Sequence, residues 1–232
     1  MKSTMNQKQL SRLTGIALVV MAVAAAMSMG MVFAPVFEMT PDQFAQHLPR
    51  LKMPLFFGIL GWVVILMCDL FVSWGLYELY AVKDEGKSKA MGLFRLIYSL
   101  ILMMGIVQLI RAVALPSGDA DTTYDLIQSF QSIWQFGLIV FGVHLLLLAG
   151  LVCEKKTILQ IIGMLLFVAG IGYVVSNMAD LFIADYESIR SRVEAVFVLP
   201  MILGELGLAV WLLVRGGREV SFPKKQCVSG SC

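Results

Sequence analysis

Six ionisable side chains stand inside stretches apolar enough to lie in lipid: Asp69 in CDLFVSWG, Arg95 in GLFRLIYS, Arg111, His144 in GLIVFGVHLLLLAGLV, Asp180 in SNMAD and Glu205 in LPMILGELG. A charged side chain at a helix centre in the bilayer costs roughly 2.5–3.5 kcal/mol to insert, so such residues face the bundle interior, pair with one another, and by default mark a substrate or proton path. Histidine is the natural proton carrier because its ordinary pKa lies near neutrality. At about 1.5 Å per residue from the outer end of each span, Glu205 lies roughly 13 Å deep, His144 about 17 Å, Asp69 about 22 Å and Arg95 about 24 Å. Asp69 and Arg95 are then opposite charges in one layer, and His144 and Glu205 are hydrogen-bond partners in the next. Arg111 and Asp180, with Asn177 nearby, form a third layer toward the outer boundary. Tyr98, Gln108 and Tyr173 extend the lining, and Pro200 adds a kink that opens backbone carbonyls to the interior.

Two chemistries compete for this set. One is a polar cavity for a small ligand or a proton relay. The other is helix glue, since interhelical polar contacts in membranes average only about 0.6 kcal/mol yet strand a charge when one partner is lost. A zinc site needs three or four ligands, which His144, Glu205 and Asp69 supply only if their helices converge at one depth, so no metal is expected. Bis-histidine haem lacks a second histidine in the bundle, and no GxSxG, Walker loop or HExxH occurs. No cofactor is expected.

The elements that must position these residues follow from composition. Of 232 residues, 59% are hydrophobic and only 15% charged, more apolar surface than a soluble domain of this size hides. Spanning a hydrocarbon core of about 30 Å takes roughly 20 apolar residues in a helix. Six stretches qualify: 13–37, 54–82, 91–115, 133–153, 158–182 and 196–214. The first follows Lys2, Lys8 and Arg12 as a signal core would, but it exceeds the roughly 7–15 residues of one and is read as a retained helix. Lipid leaves only helices or a closed barrel to satisfy the backbone, and no strand-like alternation competes. The fold class is therefore an all-α six-helix transmembrane bundle, a single multi-pass membrane domain with a tail at 215–232.

Lysine and arginine set the orientation. One side carries twelve: Lys2, Lys8 and Arg12, three lysines at 83–89, Lys155 and Lys156, and Arg215, Arg218, Lys224 and Lys225. The other carries four, Arg50, Lys52, Arg190 and Arg192, so both termini are expected to be cytoplasmic. Two outer segments read as short amphipathic helices along the interface: TPDQFAQHL, where Thr40 caps, Pro41 suits the first turn and His47 is exposed, and DYESIRSRVEA. The acidic loop SGDADTTYD, with Asp119, Asp121 and Asp125, lacks the glycine and terminal glutamate of an EF-hand and reads as solvated. Small residues at Ala22, Ala26 and Gly30, and at Gly163 and Gly170, mark faces for close helix approach. Of four cysteines, Cys68 and Cys153 behave as small hydrophobes, and the tail residues Cys227 and Cys232 carry no recognisable motif. A net charge of +2 in scattered clusters argues against nucleic acid.

The runs FRLIYSLILMMGIVQLIRA, FGLIVFGVHLLLLAGLV, ILQIIGMLLFVAGIGYVVSNM and LPMILGELGLAVWLLVRG resemble, in order and spacing, the bacterial integral-membrane family known as domain of unknown function 4386. The resemblance covers nearly the whole chain. It is marked by the FRL at Phe94–Leu96, a GxHxLLLG-like segment at Gly142–Gly150, GxGY at Gly170–Tyr173 and GELxLxxWLLxxG at Gly204–Gly216. An alanine before the last glycine of GVHLLLLAG departs from the pattern, and the tail lies outside it. The resemblance implies a multi-pass bacterial membrane protein and raises the standing of Arg95, His144 and Glu205, but assigns them no reaction.

The expected function is a small-ligand or proton-linked carrier or sensor in the cell (inner or plasma) membrane. The alternatives are a membrane enzyme acting on lipid, with His144 as acid or base beside Glu205 and Asp69, and an assembly protein whose polar pairs only specify packing. The expected partners are the lipid bilayer and a small molecule or proton.

Overall fold

Local signals start four of the helices. In the computed structural model, which describes residues 6–115, 119–153, 157–182 and 187–214, Asn6, Thr40, Asp84 and Asp119 each place a side-chain oxygen on a backbone N–H of the following first turn. Thr40 and Gln43 close a full capping box, with Pro41 at the first helical position. Asp119 of the acidic loop is thereby a cap as well as a solvated charge. The tail, with Cys227 and Cys232, lies outside the described residues.

The helices are α1 (Gln7–Phe37), α2 (Pro41–Tyr80), α3 (Glu85–Ala114), α4 (Ala120–Val152), α5 (Thr157–Phe182) and α6 (Glu187–Val214). Each of these six contains a stretch long and apolar enough to cross a membrane.

Two boundaries differ from the sequence reading. The segment after Thr40 is no separate helix. It forms the first turns of α2, 40 residues long, which continues through Pro49 and Pro54. Packing carries it across the prolines: Phe44 and Leu48 are buried, the Phe44 ring lies 5.5 Å from that of Tyr124, and the Tyr124 hydroxyl donates to the Met39 carbonyl at 2.9 Å. The segment before the sixth span likewise joins it in α6, which runs on through Pro200.

Within α1, Ala26–Phe33 is π-helical. Its i→i+5 hydrogen bonds widen the turn, so residues four apart no longer share the face a regular helix would give them. The Ala22–Ala26–Gly30 stripe consequently makes no close approach: Ala26 and Gly30 are exposed, and a Cβ at Gly30 would meet nothing within 4 Å. The close contacts of α1 are made instead by Thr14 and Ser28, which lie against Gly75 and Gly61 of α2, and by Gly15. Gly163 and Gly170 do share a face, against α4.

Each helix packs on its neighbours in chain order, and α6 returns to α1, closing a ring. At the seam the Ser11 hydroxyl donates to the Leu212 carbonyl at 2.8 Å, and a Cβ added at Gly15 would lie 2.9 Å from the Ala209 carbonyl oxygen. Between α2 and α3 the Ser73 hydroxyl donates to the Gly92 carbonyl at 2.9 Å. The Lys83 ammonium, just past α2, donates to the Leu151 carbonyl at 2.6 Å, where a cation suits the carbonyl-rich end of α4. Phe33, Trp62, Phe130 and Trp134 interlock as one aromatic layer, the two tryptophan rings 5.2 Å apart. One charged side chain, Arg95, ranks with Trp62 and these phenylalanines among the largest that are fully buried.

Candidate functional site

Arg95 is the hub of the interior. It projects from α3, 1% exposed, and its Nη2 lies 2.5 Å from Asp69 Oδ1 of α2, itself fully buried. Its Nη1 lies 3.0 Å from His144 Nε2 of α4, and Nη2 also approaches the Met21 sulfur of α1 at 3.6 Å. The guanidinium carbon sits 5.2 Å from the Phe141 ring centroid. Ser99, one turn after Arg95, shares its hydroxyl between Asp69 Oδ2 at 3.2 Å and the Arg95 carbonyl at 3.0 Å. Arginine's planar fork fits this role, holding a carboxylate with one arm and an imidazole with the other.

The partners of His144 fix its tautomer. Nδ1 lies 2.9 Å from the Met91 carbonyl oxygen, which only accepts, so Nδ1 carries the hydrogen. Arginine only donates, so Nε2 must present its lone pair to Nη1. The ring is therefore neutral, and a second proton would set an N–H against the guanidinium.

Asp69 and Arg95 thus meet as ion-pair partners. His144 and Glu205 do not: His144 is held by Arg95 and Met91, whereas Glu205 Oε1 accepts from the Tyr173 hydroxyl at 3.4 Å. The reason is azimuth. Gly142 packs on α5, and His144 stands two residues, about 200°, further round α4 and so faces α3.

Arg111, expected to pair with Asp180, has a partner on its own helix. Its Nη1 donates to Gln108 Oε1, one turn back on the same helix, at 2.9 Å. Gln108 is accordingly committed to that surface pair. Asp180 is half-buried near the end of α5, and Asn177 donates to the Tyr173 carbonyl at 2.8 Å. Tyr98 is buried against Phe141 at 4.9 Å between centroids. Sequence reasoning missed Ser99, Phe141 and Met21. Ser99 at four residues from Arg95 and Phe141 at three from His144 carried a helical-spacing signal, but Met21 carried none.

Glu205 stands in a different setting. On α6, Gly204 abuts Leu165 and Leu166 of α5, while Ala209 and Leu213 abut Gly15 of α1. Successive residues turn about 100°, so Glu205 falls on the arc between those two contacts and points into the ring. It is half-buried and not sealed. Among the described residues no basic side chain lies within ion-pair reach of it, and Arg95 is already committed to Asp69. Among the described residues the interior therefore holds the Asp69–Arg95 ion pair, the neutral imidazole of His144 and the Glu205 carboxyl with no ion-pair partner.

Replacing His144 with phenylalanine is expected to lower stability by about 2 kcal/mol, because the Met91 carbonyl and Arg95 Nη1 lose their partner in a buried setting. His144→Gln, whose amide donates and accepts, should cost less than half as much. Unfolding midpoints of the two variants in the same detergent check this, and equal losses would contradict the assigned tautomer.

Comparison with known proteins gives a family and one relative. The family described as Domain of unknown function (DUF4386) matches residues 13–216. An uncharacterized protein of Archaeoglobus fulgidus is 28% identical over 164 residues, covering 70% of this chain and 86% of the relative. No solved structure matches.

Proposed function

The chain belongs to the DUF4386 family, and from its own residues we propose a cell-membrane protein, both termini cytoplasmic, that binds a proton or small ligand at Glu205 as a proton-linked carrier or sensor. One observation carries the reading: a half-buried carboxyl points into the helix ring with the Tyr173 hydroxyl as its hydrogen-bond partner and, among the described residues, no ion-pair partner. A carboxylate out of bulk water and without a paired cation is costly, so the group holds a proton or recruits a cation. The Asp69–Arg95–His144 clasp has a different task. Its charges are balanced and its donors and acceptors largely committed, and it fixes α2, α3 and α4 around the interior. The orientation rests on the twelve-to-four excess of lysine and arginine.

Proton uptake tests the reading. Full-length protein in lipid nanodiscs, acidified in steps with a pH indicator, should take up about one proton more than the Glu205→Gln variant, as a single interior site requires. His144→Gln should leave that uptake in place. Identical uptake by the unaltered chain and a folded Glu205→Gln would remove Glu205 as the site.

A further inference from the structure

We propose that the Glu205 site takes an organic cation, an ammonium carried on an apolar or aromatic body, which binds in exchange for the carboxyl proton. This rests on the reading of Glu205 as the interior proton or ligand site and names the chemical class of its ligand.

Three observations converge on that class. The first is charge. Asp69 and Arg95 cancel and His144 is neutral, so among the described interior residues ionised Glu205 leaves one negative charge in excess. An anion is repelled there, and an uncharged ligand leaves the carboxylate uncompensated.

The second is the wall beside the carboxyl. The Tyr173 hydroxyl touches Glu205, the Tyr173 ring meets Phe141 edge-on at 5.5 Å, and Phe141 meets Tyr98 at 4.9 Å. Three rings from α3, α4 and α5 thus lead to the carboxyl. Aromatic faces attract cations through the ring quadrupole, most strongly where water is excluded. The bundle already uses that attraction, with the Arg95 guanidinium over Phe141.

The third is the scarcity of oxygen. A hard metal cation stripped of water needs six or more oxygen ligands. Among the described residues the oxygen partner of Glu205 is the Tyr173 hydroxyl, and Met201 and Leu208, one turn to either side along α6, add aliphatic chains. A quaternary ammonium needs no such shell. It sets its methyl groups against the rings and its charge beside the carboxylate.

The exchange balances simply. Protonated Glu205 loses its proton to solvent, the carboxylate pairs with the incoming cation, and one positive charge replaces another. Acid therefore expels the cation and alkali favours it.

Benzyltrimethylammonium is a suitable probe, with its uncharged tert-butyl isostere and benzenesulfonate as controls. Calorimetric titration into the full-length protein in nanodiscs should show saturable binding that tightens as pH rises. Released protons should approach one per cation at the acidic end. The two controls should bind at least roughly tenfold more weakly, and Glu205→Gln should lose a similar factor or more, with Glu205→Asp keeping part of the affinity. Proton release is read on the unaltered chain, so the result stands even if Glu205→Gln fails to fold.

Equal binding of the isostere, binding without proton release, or no saturable binding below about 10 mM, the weak end of specific affinity, would overturn the cation assignment. If Glu205-dependent proton uptake persists in that case, the proton-linked reading survives alone. If uptake is also absent, both fall.

Discussion

Replacing Asp69 with leucine is expected to destabilise the folded bundle by about 3–5 kcal/mol, the cost of leaving a buried charge without its partner. Arg95 would be left buried without its carboxylate, 1% exposed and with its Nε already lacking a hydrogen-bond partner. The reciprocal change should cost less. In Arg95→Met the unpaired group is a carboxyl, which can shed its charge by taking a proton, and the flexible thioether fills much of the vacated space. The double variant Asp69→Leu/Arg95→Met should recover most of the loss, since a buried ion pair replaced by apolar groups of similar volume is often near neutral. Unfolding in mixed micelles of graded denaturing detergent gives the three values. A single Asp69→Leu variant as stable as the unaltered chain would show that the pair contributes nothing.

Gly142→Val should also destabilise the bundle, by a different route. A Cβ at Gly142 would lie 2.8 Å from the Gly170 carbonyl oxygen and 2.7 Å from Val174 Cγ2, and a Cβ at Gly170 would lie 2.9 Å from the Gly142 carbonyl oxygen. Backbone faces backbone, so no side chain can turn aside and α4 must part from α5. Overpacking of this kind costs roughly 1–3 kcal/mol and occasionally more. Phe141 flanks Gly142 and meets Tyr173, so the separation should also weaken any ligand held at Glu205. Gly150→Ala is the control: a Cβ there meets nothing within 4 Å, and a gain of roughly 0.5–1 kcal/mol in helix propensity is expected. Thermal unfolding of both variants in one detergent separates the packing effect from the propensity effect.

The six spans were legible because lipid allows few alternatives to a long apolar helix. The Asp69–Arg95 pair was legible as well, since depth and opposite charge suffice when the helices are neighbours. His144 and Glu205 show where depth counting stops. Two residues at one level still need the right azimuth, and only the close glycine contacts of α4 and α6 reveal that His144 turns toward α3 while Glu205 faces the ring interior. Arg111 shows a local partner that depth counting across helices does not look for, because Gln108 on the same helix needs no second element to be in place. The long α2 exceeds the 54–82 span because the segment after Thr40 packs through Phe44 and Leu48 and stays helical across Pro49 and Pro54. The widened turn at Ala26–Phe33 has no compositional signature, and it overturned the spacing argument for Ala22, Ala26 and Gly30.

The seam between α1 and α6 has a bearing on biogenesis. It joins α1 to α6, which is synthesised after the other five helices, so the circle stays incomplete until α6 is made. The clasp of Asp69, Arg95 and His144 needs only α2, α3 and α4 and can assemble while the chain is still emerging. Until α6 arrives, lipid has access to the nascent interior. Arrival of α6 therefore both closes the ring, through Ser11 and Gly15, and delivers Glu205 to it.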